Sequence, residues 1–175
     1  MTNYEFEKLA SKHHVATPRW VVESIYNLVN ITRFKNVWLP FNHYDSEFKL
    51  KADELKLLYK ATHKFDDLGN DFFTTPPPCG CELLISNPPF NIQNEILQHS
   101  FDLIEKGKVE ALALLLPLST LETPTRAALW EKYSDKLSLI IFKKRIRFIG
   151  AKTSFNTACC WIIYGIPNLP KISWL

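Results

Sequence analysis

The 175 residues are the length of one domain, and 46% apolar with 22% charged content excludes a disordered chain. No apolar run is long enough to span a membrane and the N-terminus is polar, not a signal peptide; the expectation is a cytoplasmic protein with no membrane partner. A net charge of +3 permits a polyanionic partner without requiring one.

Met1 to Val15 reads as a polar arm with a short helical segment. Thr17-Pro18 predicts a helix start, with Thr17 as N-cap and Pro18 at the first helical position, where a missing N–H costs nothing. Val21, Val22, Ile25, Leu28 and Val29 follow at helical spacing. Val37 to Phe41 is a short strand broken by Pro40, and residues 42–53 are polar. Leu55 to Ala61 reads as a strand, with a helix as the alternative. Leu83 to Ile85 is a buried strand stopped by Asn87-Pro88-Pro89, and Ile92 to Glu105 carries one apolar helical face. Val109 to Leu116 is apolar but for Glu110, as a central parallel strand requires. A helix after Pro124 and strands over Leu137–Phe142 and Ala158–Tyr164 complete the pattern, before an irregular tail with Pro167 and Pro170.

Strands alternating with helices predict an α/β domain with a mostly parallel, twisted sheet flanked by helices. The expected layout is an arm at 1–15, one domain at 16–166, a tail at 167–175 and no separate recognition domain. The cysteines, Cys79-Gly80-Cys81 and Cys159-Cys160, lack Cys-x-x-Cys spacing and nearby His, so free thiols and no metal are expected.

In such a sheet, ligands gather where strands end. Asn87-Pro88-Pro89-Phe90 is the sharpest such segment, because consecutive prolines terminate the strand and stiffen the loop. The Asn87 side-chain carbonyl and the Pro88 backbone carbonyl are then two acceptors on a rigid support, suited to the two hydrogens of an amino group. Phe90 is placed to stack on the base that carries that amine. Asp71-Phe72, Pro40 to Glu47 and Pro117 to Ser119 are the other strand-end segments. Lys143, Lys144, Arg145 and Arg147 form a basic cluster, read either as solvated surface or as a phosphate track.

Ser86 to Phe90 resembles motif IV of the class I S-adenosylmethionine-dependent amino methyltransferases, chiefly the N6-adenine enzymes and their compact phage-type members. The resemblance runs from about Val15 to Tyr164. It implies a Rossmann-like class I methyltransferase fold, S-adenosylmethionine as cofactor, and adenine in DNA, or secondarily RNA, as acceptor. By the same resemblance Thr17 lies near the cofactor's methionine carboxylate, Asp71 binds its adenine amine, and Phe72 packs on its ring. Phe148 or Phe155 stacks on the extruded base, with Lys144, Arg145 and Arg147 along the phosphates.

Residues 38–45 contain no glycine, where that family has a glycine-rich turn. Pro40, Phe41, Asn42 and Asp45 are therefore the candidate cofactor contacts there, with Ser46 beside them. His63 and Asp66 are candidates for the ribose hydroxyls. A methyltransferase-like module without catalysis, binding nucleic acid or a partner protein, is the alternative this departure motivates. Protein glutamine is another acceptor reached by relatives, whose motif usually ends in Tyr. A homodimer is one way to supply the missing recognition surface.

Overall fold

The computed structural model describes residues 16–43, 45–62, 71–150 and 157–175. The arm before Ala16, the candidates His63, Asp66 and Phe155, and part of the Pro40–Glu47 loop (Tyr44) lie outside them.

Helices α1 (Arg19–Leu28), α2 (Glu47–Glu54), α3 (Gln93–Glu105) and α4 (Pro124–Tyr133) flank a seven-stranded sheet. Its strands are β1 (Val37–Leu39), β2 (Tyr59–Ala61), β3 (Cys81–Ser86), β4 (Val109–Pro117), β5 (Leu137–Ile141), β6 (Cys159–Tyr164) and β7 (Ile172–Trp174), in the order β2-β1-β3-β4-β6-β5-β7. All pairings are parallel except those of β6, which runs against both β4 and β5. The mostly parallel α/β sheet expected from the sequence is the one observed.

Strand residues alternate between two cores. Leu83, Ile85, Ala111, Ala113, Leu115 and Trp161 pack with Val21, Val22 and Ile25 of α1 and Phe48 of α2. Leu84, Leu112, Leu114, Leu116 and Ile162 pack with Ile96, Leu97 and Phe101 of α3. A strand covered on both faces has no polar side to show, which explains the apolar run of β4 from Ala111 to Leu116; Glu110, near its start, is exposed. Each fully buried aliphatic side chain adds about 1.5–3 kcal/mol. Tyr26, missed in the periodicity of α1, is buried and donates to the Phe48 carbonyl at 2.8 Å, locking α1 to α2.

Four local expectations are corrected. Helix α1 begins at Arg19 with Pro18 as its cap residue, and no side chain caps it; Thr17 is spent elsewhere. Residues 47–54 form α2, whose only buried side chains are Phe48 and Ala52, one turn apart, too thin a stripe to stand out in a polar segment. Only Tyr59–Ala61 of the expected 55–61 strand is extended. The tail is not irregular: Ile172–Trp174 adds β7 beside β5 and closes that edge.

Alternation also disposes of the cysteines. Cys159 faces the α1–α2 core and Cys160 the α3 core, so the neighbours point away from each other. Burial pushes the Cys81 and Cys160 thiols up to about 12 and Cys159 to about 11, while Cys79 is exposed. Near pH 8 a thiol reagent is therefore expected to titrate Cys79 alone in the native protein and all four cysteines after denaturation. Gly165, after β6, has φ +80°, and a Cβ there would lie 2.7 Å from the Glu110 carbonyl oxygen. Gly165→Ala is expected to destabilise by about 1–3 kcal/mol, read as a Tm lower by roughly 2–4 °C per kcal/mol.

Candidate functional site

After β1 the chain crosses through α2 on one face to reach β2; after β3 it crosses through α3 on the other face to reach β4. The carboxyl ends of β1 and β3 are thus adjacent where the connections diverge, the position at which open α/β sheets hold ligands. A cleft of about 750 Å³ bordered by Glu105, Glu110, Lys136 and Lys171 lies where β4 and β5 begin, away from those ends.

The two strand ends are tied together. Ser86, fully buried, donates its hydroxyl to the Pro40 carbonyl, which also accepts from Asn42 Nδ2 at 2.9 Å. Asn42 Oδ1 accepts from the Ser46 hydroxyl at 2.8 Å, and Ser46 Oγ caps α2 by accepting from Lys49 N–H at 3.3 Å. Asn42 N–H donates to the Thr62 carbonyl at 3.0 Å. Asn42 therefore spends its amide and its backbone N–H within the protein. Asp45 pairs with His43 Nδ1 at 2.7 Å.

Phe41 occupies the left-handed region at φ +62°. The glycine missing from this loop is thus replaced in conformation by a phenylalanine, at about 1–3 kcal/mol of backbone strain. Its ring lies 4.7 Å from that of Phe72, a contact of about 0.5–1.5 kcal/mol that offsets part of the strain. Phe72 is buried and also packs on Trp38 and His99. Asp71 Oδ1 accepts from Phe73 N–H at 2.8 Å, closing a turn.

The second cluster surrounds Asn87. Its Nδ2 donates to the Thr17 hydroxyl at 2.9 Å, across 70 positions of sequence. Its Oδ1 is buried and, among the described residues, has no hydrogen-bond partner. Ala16 and Ile149 exchange two backbone hydrogen bonds of 2.9 Å, bringing the segment that carries Phe148 alongside Thr17. Phe148 and Phe90 meet edge to face, with centroids 6.3 Å apart. Residues 145–149 alternate: Arg145, Arg147 and Ile149 are exposed, while Ile146 and Phe148 are buried. The basic side chains thus lie on the outer side of a segment whose inner side carries Phe148.

The structure accordingly unites Thr17, Asn87, Phe90 and Phe148, and separately Pro40, Asn42 and Ser86, with Phe41 on Phe72. Trp20 carries no signal of its own in the sequence because it neighbours the apolar face of α1; it is 38% exposed, with Lys144 Nζ 4.8 Å from its ring centroid. Nothing local in the sequence signals the Thr17–Asn87 pair.

No family model matches the sequence, and no curated protein matches it. Solved structures do. The 23S rRNA methyltransferase ErmE superposes with a TM-score of 0.60 at 12% identity, over 90% of this chain and 72% of its own. A candidate class I S-adenosylmethionine-dependent methyltransferase from Listeria monocytogenes gives 0.55 at 14%, over 94% and 68%. A candidate RNA methyltransferase from Pyrococcus horikoshii gives 0.53 at 11%, over 89% and 88%. At these identities the likeness is one of fold: the chain has the Rossmann-like architecture of class I methyltransferases.

Proposed function

We propose that the protein transfers a methyl group from S-adenosylmethionine to the N6 amine of adenine in nucleic acid, with DNA favoured over RNA. The observation that carries this reading is the buried Asn87 Oδ1 just past the end of β3, which has no hydrogen-bond partner among the described residues, in a loop whose Phe90 meets Phe148 edge to face. A buried polar atom left unpaired costs about 1–3 kcal/mol, and an amine hydrogen would relieve it. The Pro88 carbonyl takes the amine's second hydrogen. With both hydrogens held, the nitrogen lone pair is oriented, and the gain is positioning and electrostatics rather than a strong base. Phe90 and Phe148 stack against the base, and Pro89 stiffens the turn that leads into Phe90. Lys144, Arg145 and Arg147 run along the phosphates, and Phe155 is a further candidate for the stacking surface.

The cofactor residues fit in part. The Asp71 carboxylate accepts from the cofactor's adenine amine, with Phe72 of the Phe41–Phe72 pair next to it in the chain. Pro40, Asn42 and Asp45 shape the loop through their own hydrogen bonds and present backbone rather than free side chains. S-adenosylmethionine, when bound, supplies a methyl group on a sulfonium centre. The closed loop is also the observation that favours the second reading, a module that binds nucleic acid or a partner protein without catalysis. Calorimetry separates them: Kd in the micromolar range, about −8 kcal/mol, is expected for the enzyme, and no binding for the module.

Mass spectrometry of DNA and RNA from expressing cells is expected to show N6-methyladenine. Asn87→Ala is expected to lower turnover at least about a hundredfold with unchanged circular dichroism; near-normal turnover in that variant would sink the amine-holding role. Methylated glutamine in place of methyladenine would move the acceptor to protein. Arg147→Ala is expected to weaken nucleic-acid binding and to flatten the dependence of log K on log salt by about 0.7–0.9.

A further inference from the structure

We propose that Thr17 is a positioning residue whose hydroxyl holds one end of the Asn87 amide, so that the other end, the carbonyl oxygen, faces the acceptor amine. The inference rests on the amine-holding reading of Asn87 and adds what makes that reading work.

An asparagine amide rotates about a broad, nearly two-fold torsion, and its two ends are similar in size. Reversed, Asn87 would aim N–H donors at an amine that also presents N–H donors, and the pair of acceptors would be lost. Neighbouring groups give little help against reversal. Pro88 and Pro89 have no N–H to offer, and the Ser86 hydroxyl is committed to Pro40. The partner that Asn87 does have is Thr17 Oγ1, 2.9 Å from Nδ2.

Thr17 is built to stay there. It is 8% exposed, so water does not readily take its place. Its backbone is pinned between the two Ala16–Ile149 hydrogen bonds and the first turn of α1, where Val21 N–H donates to the Pro18 carbonyl at 3.0 Å. Its hydroxyl is free for Asn87 because the helix start does not use it. A hydroxyl accepts as well as donates, so both amide orientations can be hydrogen-bonded by Thr17. They differ in what they leave unpaired: the observed one leaves a buried carbonyl, the reversed one an NH₂ group, and orphaned buried N–H groups are the rarer and less tolerated of the two. The same Ala16–Ile149 link carries Phe148, so the group that orients the amide and the ring that faces Phe90 are held by one pair of backbone bonds.

The test compares Thr17→Val, which keeps shape and removes the hydroxyl, with Thr17→Ser, which keeps the hydroxyl. Thr17→Val is expected to lower kcat about tenfold, as the loss of one neutral hydrogen bond does, with KM for nucleic acid and Kd for S-adenosylmethionine within about twofold. Thr17→Ser is expected to retain most of the wild-type kcat. In the free protein, the side-chain amide resonance of Asn87, assigned by its disappearance in Asn87→Ala, is expected to shift in Thr17→Val and to stay in place in Thr17→Ser. Wild-type kcat in Thr17→Val, an unmoved Asn87 resonance, or a raised cofactor Kd with kcat preserved at saturation each overturns the inference; the last would put Thr17 on the cofactor instead. Thr17→Ala gives the same readings should valine prevent folding. If Asn87→Ala itself keeps its turnover, the parent reading fails; if it loses turnover while Thr17→Val does not, only the positioning role fails.

Discussion

Ser86 is the last residue of β3 and has no access to solvent, so its hydroxyl must find an acceptor inside the protein. It takes the Pro40 carbonyl, just past the end of β1. This bond sets the distance between two strand ends that would otherwise diverge with the connections above and below the sheet. Asn42 shares the same carbonyl, Ser46 holds Asn42, and α2 is capped by Ser46. One buried hydroxyl thus anchors the loop after β1, the start of α2 and the proline turn that begins one residue later.

The division of labour between the sheet faces gives that anchor its rigidity. Trp161 and Phe48 close one core, and the stacked Phe101–Tyr133 pair, with centroids 4.1 Å apart, closes the other. Both press on strands whose side chains alternate between them, so a strand end cannot slide without reversing its burial. The rings of Phe41 and Phe72 extend the α3 core up to the rim of the site. The unusual backbone of Phe41 is tolerated because that packing over-determines it.

Much of this was legible in the sequence because it follows from repetition. The apolar runs at 83–85 and 111–116 read as strands covered twice, and the Asn-Pro-Pro stop marked where the first of them ended. The elements that escaped are those with little periodic signal: α2, with two buried side chains, and β7, with three residues between prolines and the chain end. The site divides in the same way. Asn87 and Phe90 announce themselves by their neighbours, whereas Thr17 meets Asn87 only once the chain is folded, and no short-range pattern encodes a contact across 70 residues. The left-handed Phe41 was hidden for another reason: the expected signature of that conformation is a glycine, and here packing substitutes for it.

The unpaired oxygen of Asn87 has a consequence for how the protein would respond to selection for stability. A buried acceptor without a donor is a local defect of the folded state, and small apolar side chains at positions 87 and 17 together would remove it without orphaning the Thr17 hydroxyl. Heat alone, applied as a filter without a demand for turnover, would therefore favour discarding that asparagine. A lineage that keeps it reveals a demand other than folding, and the most stable relatives of this chain are the ones in which to look for its loss.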